Sequence, residues 1–446
     1  MTKQYFNHKQ SNDMKIKTNF LAMFCLGAFA LASCSDDDTP ALGGDRENPV
    51  VDNRWTGVQA DMWDVANQYV TGVVYPTYRN LAASADDLYD EAVNVQSKHT
   101  AGTLTDADIE SACEAFKTAR EYWEKSEAFL FGAATDFNID PHMDSWPLDQ
   151  GQMANFLSNQ TMVNGLYSSD PIAFVNQHNG EFDTALGFHG IEFVLFRDGA
   201  PRKASVFDGT EDHPSFNRVT VECRHELAFL VAVAGDVRDN CYRLEVSWLG
   251  RQAATAHISR VAELGVWTHA LDNNGYYYGA DMLLAGTEGS SYASITATLV
   301  TLVGASGCGN IANEVASQKI GQAYRVATGT GGKDDAIDYI ESPYSKRSYI
   351  DYRDNIYSIK NSLYGNIDQN APHAKSVMTF LKDNNYSGLD ALQNALDDAI
   401  GKLTTCVNSG VAFVDNPGAQ QAGDAMQAVD ALNDELQNAA QWIEGL

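Results

Sequence analysis

Apolar residues recur at three- and four-residue intervals along most of this chain, and runs of alternating β-branched residues are few. That spacing predicts helix nearly throughout, over roughly 57–97, 106–131, 151–163, 170–179, 182–196, 216–247, 251–284, 292–327, 347–364, 371–383, 388–408 and 422–443. Thr105 or Asp106 stands where the second helix needs a cap, and Gly132 and Gly365 fall where a C-terminal glycine cap belongs. Ser348 and Asp351 have capping-box spacing at the start of the 347–364 helix. The Gly-rich stretches at 304–309 and 329–332 lack the lysine and strand context of a phosphate loop and read as turns between helices. The expected fold class is all-α, assembled from antiparallel helical bundles.

Two ungapped internal matches suggest a duplication. Arg120 through Gly132 aligns onto Arg353 through Gly365, and Asp236 through Trp248 aligns onto Asp430 through Trp442, in the same order. Two related bundles are therefore expected, 54–250 and 251–446. The first carries extra sequence between its matched segments, including GFHGIEF at 187–193; opposite it the second half offers LDALQNALD from Leu389, without a histidine.

The start of the chain breaks the helical pattern. Met14-Lys15-Ile16-Lys17 followed by an apolar run from Phe20 to Ala32 has the basic start and short hydrophobic centre of a secretory signal, too short to span a bilayer. Leu31-Ala32-Ser33-Cys34 resembles a bacterial lipobox, which makes Cys34 the expected lipidation site after removal of residues 1–33. Ser35-Asp36-Asp37-Asp38 looks like an acidic export tag, at the head of a polar tether over 34–53. The expectation is an outer-membrane lipoprotein of a Gram-negative bacterium, exposed at the cell surface and touching the membrane only through its lipid. Losing residues 1–33 removes four lysines and one aspartate, which takes the net charge from −29 to −32. So acidic a chain repels nucleic acid and anionic headgroups. Cys113, Cys223, Cys241, Cys308 and Cys406 remain, an odd number that rules out a fully paired framework. Cys223 and Cys241 are about 27 Å apart on one predicted helix at 1.5 Å per residue, too far to bridge.

Chemistry concentrates in GFHGIEF. His189 and Glu192 are three apart in an apolar helical run, so they share a face that must be polar, paired or metal-bound. An imidazole and a carboxylate at this spacing can supply two ligands to a divalent cation, and further donors must come from elsewhere. A buried His189–Glu192 hydrogen bond that only holds the fold is the competing explanation. Glu127, in the apolar helix end SEAFLF, and Asp144, in the loop that follows, are the candidate further donors. Arg120 joins them as a candidate binding residue, and so does Ser345 in the polar loop 341–348, since loops held by rigid helices often carry sites. Glu222 and His225 resemble the Glu-x-x-His of di-iron bundles but lack a second such motif.

These residues carry a resemblance. GFHGIEFVLF matches the Gly-x-His-x-x-Glu motif of the imelysin-like proteins at Gly187, His189 and Glu192, and YWEKSEAFLFG at 122–132, DSWPLD at 144–149, NIANEV at 310–315 and the 341–365 segment support it. The resemblance covers roughly residues 60–445. It implies two helical bundles with the motif near their interface, an exported location and a link to iron or other metal uptake. One reading is then a lipoprotein that binds a metal ion, zinc or iron, or a small ligand between the bundles. The other is a zinc metallopeptidase acting on peptides, with His189 and Glu192 as catalytic metal ligands and Glu127 as a further ligand or base. A hydrolase also needs a third ligand, an open metal position and a general base, and no recognisable spacing supplies all three.

Overall fold

The computed structural model describes residues 54–211, 219–271 and 275–446; the signal segment, Cys34 and the tether up to Asn53 lie outside the described residues. The first long rod joins α1 (Val58–Tyr69) to α2 (Tyr75–Thr100) through a π-turn at Val70–Val74. Pro76, in the first turn of α2, donates no backbone hydrogen bond and crowds the carbonyl four residues back, and the wider turn relieves both problems. α3 (Asp106–Glu124) returns along α2 from a capping box in which Thr105 and Asp108 satisfy each other's backbone donors. α4 (Gly187–Leu195) packs on α3 and on α5 (Cys223–Leu249), and α5 lies along α2.

A second group follows. α6 (Ile295–Val303) and α7 (Cys308–Glu314) lead into another π-turn at Val315–Ile320, and α8 (Ser348–Tyr364), α9 (Leu389–Asn408) and α10 (Gln420–Glu444) complete the packing. α10 runs against α6, α7 and α9, while α8 lies on α9. The groups meet where α3 and the turn Glu127–Phe129 press on α7 and α8. α1 belongs by contact with α6, so the chain enters beside the second group before building the first. Strands among the described residues are two hairpins of two-residue strands, Phe196–Arg197 with Ala200–Pro201 and Thr210–Glu211 with Val221–Glu222. The fold is all-α, and the five described cysteines are buried and free.

The helices are shorter than periodicity predicts where apolar spacing runs through a break. α3 stops at Glu124: the Ser126 hydroxyl turns back to the Trp123 carbonyl, and the Ala128 N–H donates to Ser358 across the seam instead of up a helix. Gly132 consequently caps nothing at the end of α3; it precedes the short helix Ala133–Asp136 with φ +84°. Gly365 does end α8, in the left-handed conformation. Ser348 is the first helical residue, with Arg347 at the cap, and its hydroxyl donates to the Glu341 carbonyl. The 251–284 span holds two helices, Thr255–Leu264, closed by left-handed Gly265, and Tyr278–Leu283. The 292–327 span breaks at Gly304–Gly307 and again at the π-turn. The matched segments of the expected duplication sit in unlike surroundings: Arg120 and Asp236 are buried, Arg353 is half-buried and Asp430 exposed.

Gly187 sets the start of α4. Its φ is +67°, and a Cβ there would lie 2.1 Å from the Met143 carbonyl oxygen. The glycine thus lets α4 begin directly against the helix Ile139–Met143, whose C-cap is Asp144. Gly187→Ala combines backbone strain with a clash against fixed main chain, and should cost at least about 3 kcal/mol. Urea unfolding would measure it; a loss under about 1 kcal/mol would mean this crossing is not tight.

Candidate functional site

Burial of charge at the seam starts with Arg120, on the last turns of α3. It is fully buried and its guanidinium meets Asp144, Glu124 and Glu341, with Asp351 at 3.9 Å from Nε. Asp144 is the hub of the next step. Its Oδ2 accepts the Trp123 indole N–H at 2.8 Å, and its Oδ1 lies 3.1 Å from His189 Nε2. The other ring nitrogen, Nδ1, lies 3.2 Å from Glu192 Oε2. Glu192 Oε1 in turn accepts both the backbone N–H and the hydroxyl of Ser345, each at 2.7 Å. A continuous chain therefore runs Arg120–Asp144–His189–Glu192–Ser345, from the first helical group to the loop ahead of α8.

Lys319 forms a second centre. The π-turn presents it inward, and Tyr352 donates its hydroxyl to the Lys319 carbonyl at 3.1 Å. Its Nζ stands 3.1 Å from Glu341 Oε2, 3.8 Å from Glu124 and 3.9 Å from Glu127. Asn355 also donates to Glu124. Oxygens of Glu127, Asp140 and Asp144 lie within 4.8 Å of one another, as do ligand atoms of Asp144, His189 and Glu341. Outside this cluster a groove of about 700 Å³ is lined by Pro147, Leu148, Ile340, Pro343 and Tyr344.

Electrostatics follow from too many carboxylates in too little water. Burial opposes ionisation of Asp144, yet Arg120, His189 and Lys319 outweigh it and hold that carboxyl well below the usual range. Burial likewise opposes the His189 imidazolium, but its bonds to Asp144 and Glu192 prevail and raise its pKa to about 9. Glu124, Glu127 and Glu341 go the other way, pushed up by burial against the pull of Arg120 and Lys319. Asp140 is pushed up to about 7 by burial and by Asp144 and Glu314. Arg120 and Lys319 stay charged despite burial because carboxylates surround them.

The structure brings together all six residues singled out from the sequence, Arg120, Glu127, Asp144, His189, Glu192 and Ser345. It leaves Glu222 outside, exposed and paired with Arg224 at 2.7 Å. Sequence reading missed Glu124, Asp140, Lys319, Glu341 and Asp351. Glu124 and Glu127 share Glu-x-x-Glu spacing, a signal that was available; Lys319 had none, because it lies in an apolar stretch read as one unbroken helix.

Such an arrangement defines a class: an all-helical protein with a buried histidine–carboxylate cluster at the seam between two helical groups. Residues 74–439 match the family model described as Imelysin, so the chain belongs to the imelysin family. It is 28% identical over 261 residues to "Iron-regulated protein A" of Synechococcus elongatus, a match covering 58% of this chain and 55% of that protein, about half its length. Its fold is similar to that of a putative iron-regulated protein A precursor from Parabacteroides distasonis, with TM-score 0.69 and 23% identity over 89% of this chain and 99% of that one. An imelysin-like protein from Psychrobacter arcticum gives TM-score 0.50 and 15% identity over 89% and 96% of the two chains. At these identities the two structures speak for the fold alone.

The His189 pKa has a consequence for stability. The folded ring keeps its proton to about pH 9, whereas an unfolded histidine releases it near pH 6.5. Its stabilising contribution is complete below about pH 6.5 and is lost as pH rises through 9. Urea unfolding of metal-free protein at pH 6 and pH 9.5 should show this decline, and His189→Gln should flatten it. An equal decline in the variant would assign the effect to other groups.

Proposed function

We propose that this imelysin family member is an exported lipoprotein, anchored by lipid on Cys34 at the outer membrane, that binds a metal ion in the acidic cluster at the seam and serves iron or other metal uptake. One observation carries the reading. Glu124, Glu127, Asp144, Glu192, Glu341 and Asp351 are all buried and Asp140 is half-buried, whereas the permanent cations buried with them among the described residues are Arg120, Lys319 and Arg347, the last 3.3 Å from Asp351. Enclosed carboxylates in such excess must either take up protons or hold a cation. The name of the Synechococcus relative, "Iron-regulated protein A", supports iron as the context.

The donor set fits a hard divalent cation. Glu127, Asp140 and Asp144 offer oxygens converging on one region, which suits manganese or iron(II). His189 then acts outside the donor set: it fixes the Asp144 carboxylate, while Glu192 and Ser345 fix its ring. The zinc peptidase reading draws less support from this geometry. Both imidazole nitrogens already face carboxylates, and Glu192 Oε1 accepts two donors from Ser345, whereas Glu127 accepts no hydrogen bond from the described residues.

Metal analysis of purified protein after manganese loading should find about one equivalent. Asp144→Asn should remove it, and His189→Ala should weaken binding by roughly 10–100-fold, as losing an outer partner does. Unchanged manganese content in both variants, with stability alone reduced, would leave the cluster a structural one. Stoichiometric zinc with peptide cleavage that disappears in both His189→Ala and Glu192→Ala would establish the peptidase instead.

A further inference from the structure

The carboxylates of the seam fall into two adjoining groups that share Glu127. Glu124, Glu127 and Glu341 surround the Lys319 ammonium, which is 1% exposed. Glu127, Asp140 and Asp144 converge beside it without a lysine among them. Glu127 is itself 4% exposed, and its carboxylate accepts no hydrogen bond from the described residues; its partner is Lys319, at 3.9 Å. A buried carboxylate so weakly satisfied, turned toward two further carboxylates, marks a position for a ligand.

We propose that Lys319 is a built-in counter-cation that fills one of two cation positions in this cluster and thereby limits the protein to a single metal ion. The inference rests on the reading of the cluster as a metal site. Three features point to a cation-like role for the lysine. Its ammonium makes close contact only with Glu341, at 3.1 and 3.2 Å, and stands from Glu124 and Glu127 at distances where attraction is Coulombic rather than hydrogen-bonded. It sits on a π-turn, a local departure from helix that moves a side chain off its regular face, and Tyr352 takes up the Lys319 carbonyl. Its neighbour on the apolar side is the Trp146 ring, 5.8 Å from Nζ. A lysine is a compact point charge with three donors, so it can stand among three carboxylates much as a small ion would. Glu127 then bridges the resident charge and the incoming one, the role a shared carboxylate plays in two-metal helix bundles.

Lys319→Met and Lys319→Gln test this, with manganese(II) as the probe and stoichiometry read by metal analysis after desalting and by calorimetry. One equivalent in the wild type and two in either folded variant is the expected result. It should be accompanied by a melting temperature that falls in chelator and recovers with manganese more in the variants than in the wild type. One equivalent in wild type and variants alike overturns the proposal and leaves the metal site standing. None in the wild type but one in a variant supports Lys319 as the resident cation and removes the single-metal function. None in any of them overturns both. Glutamine keeps polarity at the position, so it provides the folded sample where methionine does not, and the same stoichiometries decide.

Discussion

Arg120 is the charge on which the seam depends. A fully buried guanidinium is tolerable only among acceptors, and its acceptors come from its own helix, from the loop at Asp144 and from the segment at Glu341. Removing a partner from such a pair typically costs about 3–5 kcal/mol because an uncompensated charge is left behind. The ion pair therefore fixes where the 144–149 loop and the 341–347 segment lie against α3. Everything downstream, from the His189 ring to the Ser345 donors, inherits its position from that constraint.

The same constraint explains why the motif has its form. Gly187 permits the chain to cross against Met143, which brings Asp144 over the first turn of α4, where His189 stands. Glu192, one turn on, holds the far side of the ring and reaches Ser345. Glycine, histidine and glutamate at this spacing are thus a steric allowance, a link between the Asp144 and Glu192 carboxylates and a tether for a loop distant in sequence. In the structure the two side chains meet each other, His189 Nδ1 lying 3.2 Å from Glu192 Oε2.

Much of this was legible in the sequence, for identifiable reasons. Helical periodicity is strong wherever one face is buried, so the rod from α1 through the π-turn to α2, and α5, α8, α9 and α10, agree with their expected spans to within a few residues, allowing for the late start of α5. His189 and Glu192 stood out because polar residues in an apolar run must find partners. Glu127 stood out for the same reason. Lys319 was invisible because lysine at helical spacing is ordinarily a surface residue, and periodicity does not distinguish a π-turn from an α-turn. Asp140 and Glu341 sat in segments already polar, where one more carboxylate carries no contrast. Breaks at Gly304–Gly307 and Gly265 were missed because apolar spacing continued across them.

The cluster draws its groups from segments far apart in the chain: the end of α3, the loop at Asp144, α4, the π-turn before Gly321 and the loop ahead of α8. No local stretch holds more than two of its carboxylates within a turn, so the unfolded chain offers no preformed site. Any cation that binds here binds the folded state alone, and its binding free energy adds to folding by mass action. Conversely, in the absence of such a cation the fold must carry its own compensation. Lys319, the His189 imidazolium and the raised pKa values of Glu124, Glu127 and Glu341 are that compensation. Under the proposed metal-binding function both halves of this arrangement are needed: enough fixed cations to keep the fold without a ligand, and enough surplus carboxylate to favour one.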